Sequence, residues 1–426
     1  MSNLKTVKAV RVMAAFAVLA GPMTAAMATN GYFSHGYGIK AKGMGGASVA
    51  MTDNAFAGAN NPAAAAWAGN RVELGVDLFS PNRSMTRANS GGGFGDTSVK
   101  SDKNLFAIPE IGFNRAVNDK LGVGVTVYGN GGMNTDYAGG QLNCGQGPAN
   151  VLCGSGRLGV DLIQLIVAPT VAYKINDSHS IGISPLLVHQ RFKAEGLQAF
   201  TAPGYSSASA SVTNNGTDTS NGIGVRLGYL GKINDRFSVG ASYSPKIGMS
   251  KFSKYSGLFA EQGDFDIPAN YTLGLSFQAT PDVTLALDYQ RIGYSGVKSI
   301  GNSSAQGTAP LGAANGPGFG WSDINVVKLG VQWQATPKLV LRGGFNSGGN
   351  PVQSRDVTFN ILAPGVVTRH YTAGATYALS GNTELSMSYM HAPSSAVSGT
   401  SALPFGGTET IRMSQRALGV QFGWKY

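Results

Sequence analysis

The sequence predicts a transmembrane antiparallel β-barrel of about fourteen strands, its lumen plugged by an N-terminal, partly helical segment. Three observations carry this. First, segments of about ten residues or longer alternate apolar and polar, the length that tilted strands need to cross lipid. In "LGVGVTVYG", Leu121, Val123, Val125 and Val127 share one face and Gly122, Gly124, Thr126 and Tyr128 the other; "VKLGVQWQA" and "YTLGLSFQA" behave alike. Second, the connections alternate strictly. Tight turns of Asn-Asp, Thr-Pro or Ser-Gly-Asn stand near 118, 176, 234, 280, 336 and 380. Long Gly/Ser-rich loops cover about 81–104, 132–158, 199–220, 253–264, 297–322, 351–366 and 394–410, the short-inside, long-outside asymmetry of membrane barrels. Third, "RALGVQFGWKY" alternates to the last residue, with Leu418, Val420, Phe422, Trp424 and Tyr426 on one face. A closing strand that ends on an aromatic is typical of outer-membrane barrels, and is the part that barrel-assembly machinery is expected to engage. A soluble sandwich would not present strands this long, nor place Tyr271, Phe277, Tyr377, Tyr389, Phe422 and Trp424 at the ends of apolar faces.

The N-terminus sets the compartment. Lys5, Lys8 and Arg11 precede the short apolar run "VMAAFAVLA" and the small-residue site "AMA", so residues 1–28 read as a signal peptide and Thr29 as the mature start. The full chain carries a net charge of +10; removing those three cations leaves +7. An exported chain with scattered cations is not a nucleic-acid binder. Solvated faces and contact with anionic outer-membrane lipid and lipopolysaccharide explain the charge. Cys144 and Cys153, in "NCGQGPANVLCG", suggest a loop-stapling disulfide in an oxidising compartment. The five histidines form no metal-ligand spacing, so neither metal nor cofactor is expected. "SGGGFGD" lacks the Lys-Ser/Thr of a phosphate loop, and there is no nucleophile elbow, so an enzyme is not expected.

A barrel of about fourteen strands leaves a wide lumen unless something fills it. Residues 29–70, rich in Gly, Ala and Asn and without alternation, are the filler; residues 71–426 form the barrel. "KAKGMGGASVAMTD" and "PAAAAWAG" suit short helices, the second with Asn61 as cap and Pro62 in the first turn.

"GYFSHGYGIKAKGMGGASVAMTDNAFAGANNPAA", containing Asn61-Pro62-Ala63, resembles the N-terminal hatch of the FadL family of outer-membrane transporters for long-chain fatty acids and other hydrophobic compounds. "DIPANYTLGLSFQATPDVTLALDYQ", "VKLGVQWQATPKLVLRGGFNSGGNPV" and "YTAGATYALSGNTELSMSYMH" extend the resemblance over essentially the whole mature chain. It implies that a ligand lands among outer loops, moves into a barrel pocket, and leaves sideways through a gap where the third strand kinks. Here that strand is about 121–131 and ends "YGNGGMN", where the family more often has a Pro-Phe-Gly-like sequence. Gly129, Gly131 and Gly132 supply the flexibility for a kink, and Asn61-Pro62-Ala63 is expected to lie against it. A monomer is expected.

Alternation also places apolar groups inside: Phe79, Ile108, Leu162, Ile166, Leu186, Val188 and Phe192. They line a hydrophobic pocket or pack against the hatch. Glu73, Asp77, Glu110, Arg226, Lys246, Asp288, Lys328, Arg342 and Glu384 fall inside and are expected to pair with one another. Among them Lys246, Lys328 and Arg342 are the candidates for holding a carboxylate head group. Tyr255, Leu258 and Phe259, in an outer loop, supply a landing groove or pack that loop on itself. The function expected is uptake of hydrophobic small molecules, long-chain fatty acids first, with release into the membrane. The alternatives are a transporter of aromatic hydrocarbons, a general diffusion porin and an outer-membrane lipolytic enzyme. The hatch opposes the porin, and the lack of a paired Ser/His signature opposes the enzyme.

Overall fold

The structure, a computed structural model, describes residues 30–91, 96–145, 147–305 and 309–426; the signal peptide and Thr29 lie outside them. Fourteen long strands form the wall. They are β1 (Arg71–Ala88), β2 (Phe106–Ala116), β3 (Leu121–Asn134), β4 (Gly159–Lys174), β5 (His179–Glu195), β6 (Asp218–Lys232) and β7 (Phe237–Ser244). The second half is β8 (Asn270–Thr280), β9 (Val283–Ile292), β10 (Ile324–Thr336), β11 (Leu339–Gly348), β12 (Arg369–Ala378), β13 (Thr383–Thr400) and β14 (Thr408–Lys425). Each pairs antiparallel with the next, and β14 pairs with β1, so the sheet closes into a barrel. All six tight turns stand where the sequence puts them, between β2 and β3 and then at every second connection.

Two loops are shorter than the sequence implies. Residues 81–88 continue β1, and most of 394–410 belongs to β13 and β14. Their Ser, Thr, Gly and Asn residues carry no apolar alternation, because above the lipid a strand has no reason to be apolar on its outer face. Pairing holds them instead: β1 and β14 match from Arg71↔Lys425 to Ala88↔Thr408. A bulge between Ala392 and Ser395 absorbs Pro393, which cannot donate to the ladder.

Outward residues such as Leu74, Leu78, Leu329, Trp333, Leu418 and Phe422 are exposed and form the lipid belt. Among the described residues no helix is long and apolar enough to cross a membrane. Residues 30–70 run inside the barrel and are almost all buried. They hold one helical turn, α1 (Ile39–Lys42), and a 3-10 turn, Pro62–Ala66, whose Asn61 cap accepts from the Ala63 N–H at 3.1 Å. Cys144 and Cys153 are bonded within the β3–β4 loop, their Cα atoms 5.7 Å apart.

Candidate functional site

An apolar pocket opens among the outer loops. Phe192 from β5 forms its floor with Val160 from β4. Leu152, Leu197, Phe200, Leu258, Phe259, Phe319 and Phe359, drawn from five different loops, close over it. Its cavity volume is about 30 Å³, so these side chains nearly fill it. Leu258 and Phe259 therefore line the site. Tyr255 lies behind it, edge-on to Phe192 at 4.8 Å, with its hydroxyl donating to the Gly216 carbonyl at 2.6 Å. Asp264 stands in the same loop. Burial, then the carboxylates of Asp266 and Glu261, pushes its carboxyl up to about 6. The folded loop thus holds this proton more tightly than the unfolded chain does, and loses stability as pH rises toward and through about 6. Asp264→Asn is expected to raise the urea midpoint at pH 7.5 and to raise it much less at pH 5; an equal shift at both values would refute this.

A second cavity, of about 20 Å³, lies deeper. Phe79 and Arg83 of β1, Gly132 and Met133 of β3, Met413 of β14, Tyr32 of the hatch and Trp321 line it. A relay of rings joins the two: Phe192 to Phe259 at 4.6 Å, Phe259 to Phe265 at 4.9 Å, Phe265 to Tyr32 at 6.3 Å and Tyr32 to Trp321 at 6.0 Å. Leu362 faces the outer cavity and Ala363 the inner. Arg83 is the unusual member. It is 5 % exposed, its Nη2 donates to the Lys103 carbonyl, its Nε has no partner, and no carboxylate among the described residues pairs with it. A buried guanidinium without an anion carries a large desolvation cost that an anionic ligand would relieve.

The inner cavity abuts a break in the wall. From Ile111↔Val127 to Ala116↔Gly122, β2 and β3 form an ordinary ladder. Beyond it they part: Phe106–Glu110 pair with β1 and Tyr128–Asn134 with β4, with no pairing between them among the described residues. On the β4 side the register slips, Gly129↔Leu165 being followed by Gly131↔Gln164, so Asn130 bulges. The hatch meets this bulge. Ser34 N–H donates to the Asn130 carbonyl at 3.3 Å, the Tyr37 hydroxyl to Asn130 Oδ1 at 3.1 Å, and Phe33 bridges Gly131. A Cβ on Gly131 would sit 2.2 Å from the Tyr32 carbonyl, which explains glycine there.

Several sequence-derived placements change. Asn61-Pro62-Ala63 does not lie at the bulge. It packs on β5 and β6, where Gly182 and Gly228 leave room for the hatch backbone; a Cβ on Gly182 would stand 2.4 Å from Ala63 N. The bulge instead receives Tyr32–Ser34 and Tyr37. Lys246 is not interior: β7 ends at Ser244, Pro245 breaks the alternation, and Lys246 is exposed and pairs with Asp266 at 2.9 Å. Arg342 is inside but committed to the hatch and wall, donating to Gln332 at 2.8 Å and Thr376 at 2.6 Å and pairing with Asp53 at 3.3 Å. Lys328 is buried opposite Asp288 and lines neither apolar cavity. The lumen carboxylates do not chiefly pair with wall cations. Lys40 of the hatch bonds Glu73 at 2.9 Å and also Glu384, and Lys42 bonds Asp77 and Glu110, each at 2.8 Å. Of the seven apolar candidates, all are buried in one cluster, but only Phe79 and Phe192 line a cavity; Ile108, Leu162, Ile166, Leu186 and Val188 pack around it. Arg83 escaped the sequence reading because 81–104 lacked strand alternation.

A closed, plugged barrel with apolar cavities above and behind its plug defines an outer-membrane transporter of hydrophobic compounds. The chain belongs to the family of outer membrane protein transport proteins (OMPP1/FadL/TodX), whose family profile matches residues 16–426. Its place is therefore the outer membrane of a Gram-negative bacterium. Among solved structures it is similar to the Pseudomonas putida toluene transporter TodX, at 21% identity and TM-score 0.67 over 93% of this chain and 100% of that one. It is also similar to a Pseudomonas aeruginosa FadL homologue, at 14% and 0.67 over 93% and 99%. The Ralstonia pickettii toluene transporter TbuX follows at 19% and 0.63 over 92% and 99%. At these identities the likeness speaks to the fold. No curated protein matches the chain.

Proposed function

We propose that this transporter takes up long-chain fatty acids, or amphiphilic acids of similar build. The acid lands in the loop cavity, moves along the aromatic relay to the inner cavity, and leaves into the membrane between β2 and β3. The observation that carries this reading is Arg83, buried without an anion at an otherwise apolar inner cavity. A carboxylate gives that guanidinium a charge-assisted partner while the tail stays among Phe79, Met133 and Trp321. Sideways release suits such a ligand, since each methylene gains about 0.8 kcal/mol on leaving water for lipid. The filled lumen opposes free diffusion of ions and sugars, and no step of the reading requires a bond to be made or broken.

Calorimetric titration of the purified protein with oleate and with toluene tests this. Wild type should bind oleate saturably. Arg83→Met should weaken oleate about tenfold or more, the worth of a hydrogen bond to a charged group, and leave toluene binding unchanged. Saturable toluene binding without oleate binding would instead establish a second reading, a channel for small aromatic hydrocarbons. That reading is favoured by the ring-lined relay and by the likeness to TodX and TbuX, both toluene transporters.

A further inference from the structure

We infer that the outer face of β1, β13 and β14, with Arg412 and Arg416 at its centre, is a binding site for the phosphorylated disaccharide of lipopolysaccharide.

The site begins where the apolar belt stops. Leu78, Leu418 and Tyr389 share one cross-strand row, and all three face lipid. The next outward row is Ser80, Arg416 and His391. The change from apolar to polar thus falls at one level on three neighbouring strands, which marks the upper limit of the hydrocarbon. These strands do not end there. Each has 18 residues. At about 3.3 Å per residue and a tilt near 40°, that makes a wall of roughly 45 Å, against an apolar band of about 25 Å. The excess stands among the head groups and sugars of the outer leaflet.

Its charge is one-sided. Arg412 and Arg416 are exposed on one face of β14, about 13 Å apart along the strand. Arg412 pairs in register with Ser84, and Ser84 with Lys100 of the short strand Thr97–Lys100, so Lys100 lies two strands away, about 10 Å. None of these three cations has an ion pair or side-chain hydrogen bond among the described residues. Between them the outward positions are Ser80, Asn82, Ser84 and Ser414, all uncharged. Glu409, the one carboxylate on these strands above the belt, points inward and is bonded to Arg87. Asp102, beyond Lys100, is engaged by Arg157. Cations spaced by 10 to 13 Å with hydroxyls between them suit a rigid sugar that carries two phosphates, whose acyl chains then run down the belt below Arg416.

Native mass spectrometry of purified protein in detergent, titrated with bisphosphorylated lipid A, tests the site. Wild type should retain the lipid. The triple variant Lys100→Ser, Arg412→Ser, Arg416→Ser should bind it about tenfold more weakly or worse. Lipid A stripped of its phosphates should bind wild type as weakly. Heat-dependent gel mobility and calorimetric ligand binding, unchanged in the triple variant, confirm that it is folded. A charge-matched control, Lys120→Ser, Arg236→Ser and Lys338→Ser in three inner turns, should leave retention intact. Equal retention by wild type and triple variant, an equal loss in the control, or displacement by phosphatidylglycerol at equal affinity would each overturn the site.

Discussion

Replacing Lys40 and Lys42 together by methionine is expected to turn a nearly silent barrel into one that conducts ions across a planar bilayer. The two ammonium groups are the hatch cations that tie it to the wall, beside the Asp53–Arg342 pair. Lys40 lies between Glu73 and Glu384, Lys42 between Asp77 and Glu110, and all are buried in the lumen. A buried pair adds little net stability when intact, but removing one partner strands the other and costs about 3–5 kcal/mol. Here two substitutions strand Asp77 and Glu110 outright and leave Glu73 and Glu384 only their longer pairs, to Arg71 at 3.5 Å and Lys425 at 3.4 Å. The carboxylates recover their solvation by admitting water, and the space they face is the straight route that the hatch occupies. Deleting residues 30–70 should conduct more strongly, since it removes the whole buried segment that runs through the lumen. Adding Asp77→Asn, Glu110→Gln, Glu73→Gln and Glu384→Gln to the double variant removes the stranded charges and should restore most of the silence. Unchanged conductance in both the double variant and the deletion would show that residues 30–70 are not the barrier.

How far the sequence could be read depended on which physical constraint wrote it. Lipid imposes a two-residue period and a minimum length, so the apolar half of every strand and all six inner turns were legible. Above the lipid the constraint lapses. Residues 81–88 and much of 394–410 look like Gly/Ser loops, yet pair fully, because their registry comes from the neighbouring strand rather than from their own pattern. Arg83 was hidden for that reason: a site residue on an unmarked strand looks like a loop cation. Lys40 and Lys42 were hidden differently. The lumen face reads as acidic through Glu73, Asp77, Glu110, Asp288 and Glu384, and that surplus was the available sign that the small-residue hatch brings cations to meet it. The misplacement of Asn61-Pro62-Ala63 had no such remedy. Its 3-10 turn was legible from the cap and the proline, but only tertiary packing decides that Gly182 and Gly228 receive it.

Removing the bulge in β3 should abolish uptake by cells while leaving ligand binding in place. The reasoning begins with backbone hydrogen bonds. A sheet facing lipid cannot leave N–H and C=O groups bare without a cost of several kcal/mol each. Where β2 and β3 part, the hatch supplies partners in place of a neighbouring strand, through Ser34 to Asn130 and Phe33 to Gly131. The opening is thus closed by a segment that can be displaced rather than by a continuous ladder, and the inner cavity lies directly behind it, with Gly132 and Met133 in its lining. Deleting Asn130 takes out the extra residue, so β3 can stay in register with β4 and continue along β2. A second variant keeps the chain length. Extending the Ile111↔Val127 ladder by two residues sets Pro109 opposite Gly129, so Pro109→Cys with Gly129→Cys should cross-link only when the wall is shut. Oleate uptake should vanish in the deletion and in the oxidised double-cysteine protein, and return in the latter on reduction. Calorimetric oleate binding should stay within about threefold of wild type throughout, since that is less than the worth of one hydrogen bond. Full uptake through a wall shown by mass spectrometry to be cross-linked would sink the sideways route and leave passage straight down, past the hatch, as the way out.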